Sequence, residues 1–173
     1  NIDNHHNVFA NMGYISNVPK FKNGAFMSAN TSHAINPDAK NEQILSAELG
    51  YGYHNSWINL KLNGYITNWK DKAMFKKGSF ANKEQYVINM TGVDALHMGV
   101  ELEAFIRPTR WLDIAAMLSI GDWRWASKYA KGYAYDLYGN ALTSDGEITS
   151  VGADNHASAS INMANVPVGG SAQ

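Results

Sequence analysis

The stretch Thr91–Trp125, TGVDALHMGVELEAFIRPTRWLDIAAMLSIGDWRW, alternates in character through two long arms on either side of a turn. In the first arm Leu96, Met98, Val100, Leu102, Ala104 and Ile106 share one parity, opposite His97, Gly99, Glu101, Glu103, Phe105 and Arg107. The second arm sets Leu112, Ile114, Ala116, Leu118 and Ile120 against Asp113, Ala115, Met117, Ser119 and Gly121. A period of two belongs to a pleated strand, whose successive side chains point to opposite faces, and not to a helix. Neither aliphatic face carries a charge. Arg107-Pro108-Thr109-Arg110 between the arms predicts the reversal, because proline presets a turn and cannot donate to a ladder.

The same pattern recurs along the chain. Asn7–Ser16 reads as a first strand, Gln43–Tyr53 as a second with Leu45, Ala47, Leu49, Tyr51 and Tyr53 on its apolar side, and Trp57–Trp69 as a third with Ile58, Leu60, Leu62 and Ile66. A last strand begins near His156, where Ala157, Ala159, Ile161 and Met163 alternate with small polar residues. With the central pair this makes six long strands. Short turns are predicted at His54–Ser56 and Arg107–Arg110, and long polar connections at 17–41, 70–90 and 126–155, the last a set of strand extensions around a tip at Gly139–Gly146. Fifteen Gly, nine Tyr and five Trp against only four Pro suit strands and polar loops.

Charge and cysteine content exclude several classes. Lys plus Arg number 14 against 15 Asp plus Glu, so the chain lacks the basic footprint of a nucleic-acid binder. Without Cys there is no thiolate metal site and no disulfide. His5, His6, His33, His54, His97 and His156 are scattered, with no pair on a shared face and no third ligand, so no metal and no cofactor is expected. Glu101 and Glu103 share a face but have no nucleophile or base beside them, and there is neither a Gly-rich phosphate loop nor a nucleophile elbow. No enzymatic activity is expected.

Short turns alternating with long connections are the arrangement of outer-membrane barrels, with short turns at one rim and long loops at the other. A strand of about ten residues, tilted by about 45°, covers the roughly 25 Å of the apolar band. The expected fold is therefore all-β: a transmembrane antiparallel up-and-down β-barrel, of which residues 1–173 form a partial wall of six strands, the remaining strands being supplied elsewhere. A soluble or surface-attached β-sandwich that binds glycan would carry the same alternation, its aliphatic face serving as a private core. An unplugged diffusion porin is a third possibility.

Short runs then carry a family resemblance. Asn36-Pro37-Asp38-Ala39-Lys40-Asn41-Glu42 followed by Glu48-Leu49-Gly50-Tyr51 resembles the strand entry "NP-x-L-K-P-E … E-L-G-Y" of TonB-dependent outer-membrane receptors, with Ala39 and Asn41 in place of the usual Leu and Pro. Tyr65–Lys72, Gly99–Glu103 and Gly121–Trp125 are similar to Bacteroidetes members of that family. The resemblance implies a barrel of about 22 strands in the bacterial outer membrane, filled by a plug domain. It also implies TonB-driven import of a scarce ligand such as a siderophore-bound iron, cobalamin or a glycan. Partners would be membrane lipid, the plug and TonB, the last two outside these residues.

Two groups of candidate residues follow. Glu48, Lys61, Glu101, Glu103, Arg107 and Asp113 have the parity of the polar face, where they either hold a plug through displaceable ion pairs or are ordinary solvated charges. Trp123, Trp125, Tyr129, Tyr133 and Tyr135 run toward the long-connection side, as a ligand-gathering surface of flat amphipathic rings or as packing among strand extensions. Trp57, Trp69, Trp111 and Trp123 all carry the polar parity, which leaves Tyr51 and Tyr53 as the candidates for an interfacial aromatic girdle.

Overall fold

β-Branched and aromatic residues at every second position favour extended backbone, and the computed structural model is built almost wholly from strands. It describes residues 2–21, 25–26, 35–36, 38–80, 84–166 and 168. The strands are β1 (His6–Asn17), β2 (Glu42–His54), β3 (Ile58–Ser79), β4 (Gln85–Thr109), β5 (Leu112–Trp125), β6 (Tyr129–Asp136), β7 (Ala141–Leu142), β8 (Ile148–Thr149) and β9 (Ser158–Asn162), followed by one 3-10 turn at Met163–Asn165. No α-helix occurs among the described residues, and no helix is long and apolar enough to cross a membrane. The sheet order is β1-β2-β3-β4-β6-β7-β8, with β5 paired to β4 and β9 to β6. This is the all-β antiparallel class that a partial barrel wall requires.

Several boundaries differ from expectation. The polar run 70–83, read as a loop, is mostly strand: β3 extends to Ser79 and β4 starts at Gln85, so the two are 22 and 25 residues long. Phe80 N–H donates to the Glu84 carbonyl at 2.9 Å across the short connection. The central reversal is also narrower, at Arg110-Trp111, and Pro108 lies inside the last residues of β4. So near a strand end a missing N–H costs a single rung. The 126–155 segment is built as expected of strand extensions, β6 running antiparallel to β4 with Tyr86 opposite Asp136 and Met90 opposite Gly132. Its turns use Gly139 and Gly146, both at φ +88°. The expected loop 17–41 lies partly outside the described residues, as do His33 and Pro37.

The chain divides into two compact units. The first comprises Asn1–Ile15, Ile44–Asn68 and Leu96–Trp123. Its tight hairpin ends are set locally: the Asn55 side-chain oxygen accepts from Trp57 N–H and Ile58 N–H at 3.0 and 2.9 Å, an Asx turn that reverses β2 into β3. Its aliphatic face is uncovered among the described residues, with Leu49 62 %, Val100 51 %, Leu118 56 % and Ile120 68 % exposed.

The second comprises Ser16–Gln43, Trp69–Ala95 and Arg124–Gln173, and it has a core of its own. Met74, Met90, Val93, Ala130 and Met163 are buried together, with Ile88, Trp125, Ile161 and Val166 packed against them. Met90 and Val93 have opposite parity yet enter one cluster, so β4 slips by one residue between them. The slip falls at Gly92, whose φ of +73° an extended L-residue does not adopt. Asp71, at φ +56°, makes the matching irregularity in β3, and its N–H donates to Asp94 Oδ1 at 3.0 Å.

Candidate functional site

On the face of the first unit opposite the aliphatic one, β1 to β5 place a band of polar contacts. Glu48 is its hub. Oε2 accepts from Asn11 Nδ2 at 3.2 Å and Oε1 from Asn63 Nδ2 at 2.5 Å, tying β1, β2 and β3 together through one carboxylate. The Ser46 and Thr67 hydroxyls share a hydrogen bond of 2.8 Å. Tyr65 lies over Gly99, where an added Cβ would stand 2.7 Å from the phenol oxygen, and that oxygen accepts from Trp123 Nε1 at 2.9 Å. The missing side chain at Gly99 thus creates the space in which the ring of a neighbouring strand reaches the next one.

The six candidate charges share this face but do not form one network. Lys61 Nζ is 3.6 Å from Glu103, with both side chains more than half exposed. Arg107 grips Asp113 through two parallel bonds, Nε to Oδ1 at 2.5 Å and a terminal nitrogen to Oδ2 at 2.9 Å. Glu48 bonds amides instead of cations, and Glu101 is exposed. Exposed pairs of this kind are screened by water and salt, so they orient side chains more than they stabilise the sheet. Parity identified the face, whereas the pairing required the register between strands.

Of the five aromatic candidates, Trp123 belongs to the first unit and the other four to the second. Trp125 is half-buried against the core cluster, and its Nε1 donates to the Val166 carbonyl at 2.8 Å. Tyr133 and Tyr135 converge on His156, Tyr133 stacked at 4.8 Å and Tyr135 edge-on at 5.1 Å between centroids. Tyr135 is only 4 % exposed, and burial, with the charge of Asp38 second, pushes its phenol up to about 12. Tyr129 is exposed beside Lys128, whose Nζ is 5.5 Å from the ring centroid. The faces open to a ligand in the second unit are therefore those of Tyr129 and Tyr133, while Trp125 and Tyr135 are packing residues.

His156, expected to be one of several scattered histidines, is enclosed instead. It is buried, Nε2 faces the Ala134 carbonyl at 3.0 Å and so carries the ring hydrogen, and Nδ1 receives the Gly152 N–H at 3.4 Å. A histidine so satisfied is a structural pin between β6 and the loop before β9, and sequence spacing of 21 to 23 residues gives no warning of it. Among the described residues no three His, Asp or Glu side chains are grouped to hold a metal ion. No protein-family model, curated protein or solved structure matches the chain.

Proposed function

We propose that this chain is part of the wall of a transmembrane β-barrel in the bacterial outer membrane, of the TonB-dependent receptor type, which imports a scarce ligand and performs no chemistry on it. The observation that carries this reading is the uncovered aliphatic row of the first unit backed by a polar face. Burying a Leu, Ile or Val is worth roughly 1.5–3 kcal/mol per side chain, so a row left bare in water forfeits stability at every position. Hydrocarbon against that row and hydrated groups toward a lumen resolve both faces at once. A sandwich would need a second layer over Val100, Leu102 and Ile114, and these are exposed.

In the import reading, the contacts of Glu48, Lys61, Glu103, Arg107 and Asp113 supply weak polar attachments that a plug could exchange, with Glu101 beside them. Ligand contact would fall to Trp123 in the first unit and to Tyr129 and Tyr133 in the second. Siderophore-bound iron, cobalamin and glycan all present surfaces on which a flat amphipathic ring can rest.

Membrane fractionation of cells making the full-length protein that carries this segment tests the reading. Recovery in the outer-membrane fraction, resistant to carbonate and released by detergent, is the expected result. Recovery in the soluble fraction would establish the sandwich instead. Tyr129→Ala with Tyr133→Ala should then lower ligand uptake at unchanged receptor level, and undiminished uptake would remove both from the ligand surface.

A further inference from the structure

In the second unit β6 turns every other residue outward, and β9 lies beside it with an outward row of its own. Ala130, Gly132 and Ala134 are buried, so Tyr129, Lys131 and Tyr133 stand on the opposite, open face. The antiparallel register sets Asn162 against Tyr129, Ser160 against Lys131 and Ser158 against Tyr133, and residues opposed in this way point to the same side of the sheet. All six are exposed, while Ile161 on the other face of β9 packs on the core. The result is one surface in three steps: ring with amide, ammonium with hydroxyl, ring with hydroxyl.

We infer that this face of β6 and β9 binds an acidic oligosaccharide, one whose sugar rings carry carboxylate or sulfate groups. This rests on the reading of Tyr129 and Tyr133 as ligand contacts and goes beyond it by naming the ligand class. Three features carry it. Tyr133 is held as a platform: its ring stacks on the imidazole of His156 at 4.8 Å, His156 is fixed at the Ala134 carbonyl, and Tyr133 is still 44 % exposed. A flat amphipathic ring fits the C–H face of a pyranose, and the hydroxyl and amide groups opposite the rings suit the sugar's polar rim. Asn162 Oδ1 accepts from Ala164 N–H at 3.0 Å, which leaves the amide nitrogen of that side chain to donate. Lys131 has no ion pair among the described residues, nor has Lys128, whose Nζ lies 5.5 Å from the Tyr129 ring centroid.

With two ammonium groups lacking a counter-charge, the face calls for an anion. Residues 129–135 of β6 and the whole of β9 contain no Asp or Glu. The acid that ends β6, Asp136, is engaged in its own turn, its carboxylate accepting the Tyr138 and Asn140 N–H groups at 2.8 Å and Asn140 Nδ2 at 2.7 Å. Asp38 acts on Tyr135, at the same end. Both leave the Tyr129 and Lys131 half of the face to its cations. A nucleic-acid strand is tracked by a longer run of cations than two lysines, and the net charge of -1 supplies no wider basic footprint. Tyr129 and Tyr133 stand about 13 Å apart along extended chain, so several linked sugars and not one would meet both rings.

The test is titration calorimetry of the purified full-length protein, from whichever cell fraction holds it, against oligogalacturonate and oligocarrageenan. Each is paired with its neutral form, methyl-esterified or desulfated. A hydrogen bond to a charged group is worth about a tenfold change in affinity or more, so at least one acidic probe should bind by that margin over its neutral form. Lys131→Gln with Lys128→Gln should erase the margin, and Tyr129→Ala should weaken acidic and neutral forms alike. These positions are exposed, so the variants should unfold as the wild type does. Absence of binding by both acidic probes, a margin that survives in the lysine variant, or equal affinity for single-stranded DNA would overturn the acidic-sugar surface and leave the barrel in place. A protein that binds the acidic probe but is recovered as soluble would overturn the barrel and leave this surface standing.

Discussion

Gly92 and Asp71 hold backbone angles that most side chains resist, and unequal consequences follow from substituting them. At φ +73° Gly92 has no Cβ to strain, and one added there would be 3.9 Å from the Asp71 carboxylate. Gly92→Val should cost about 1–3 kcal/mol in denaturant unfolding of the folded full-length protein, because a β-branched residue is forced into the left-handed region. Asp71→Asn should be tolerated, since Asn adopts that region readily, although the ion pair with Lys40 at 3.8 Å is lost. Tyr135 offers a second test. Its folded pKa of about 12 lies above the ordinary value, so its contribution to stability is complete below about pH 10 and is lost as pH rises through 12. Absorbance titration should show a late phenol that Tyr135→Phe removes. At this scale the sequence told which charges share a face but not that Lys61 meets Glu103 or that Tyr133 and Tyr135 meet His156.

Strands β3 and β4 illustrate what periodicity conveys and where it fails. Through Ile58–Asn68 and Leu96–Ile106 the period of two is unbroken, and both were legible as strands. Beyond Asp71 and before Gly92 the parity slips, the Lys-rich run 70–77 masks the pattern, and a strand read as a loop. Its inward residues are nonetheless core. Met90 is 1 % exposed, so Met90→Ala should destabilise by about 2–5 kcal/mol, whereas Met117→Ala, at a position 76 % exposed, should leave unfolding nearly unchanged. If the two substitutions cost the same, the packing of the second unit around Met74, Met90 and Met163 is not what holds β3, β4 and β6 together.

For the molecule as a whole, the opposite faces of β4 make the sharpest contrast. Val100 and Glu101 are adjacent and both exposed, yet one belongs to the aliphatic row and the other to the polar face. If the proposed barrel reading holds, Val100→Arg on the hydrocarbon side should cost about 2–4 kcal/mol at midplane depth, while Glu101→Arg on the opposite face should fold normally. Folding yield into vesicles, read by heat-shifted mobility, separates them. Equal yields would mean that the aliphatic row does not meet hydrocarbon.

Alternation alone determined the all-β class and the two chemically distinct faces, because side-chain direction in a strand is set by residue count and needs no partner, and turn residues marked reversals at His54–Ser56 and Arg107–Arg110, the second of which lies at Arg110-Trp111. The tertiary structure decided the rest: how far β3 and β4 extend, that Trp125 and Tyr135 are packed and Tyr129 and Tyr133 open, and that His5 meets His54 while His6 meets Tyr51. Each of these depends on register between distant segments and on backbone slips such as those at Asp71 and Gly92, and a count along one strand carries no information about its neighbour's offset.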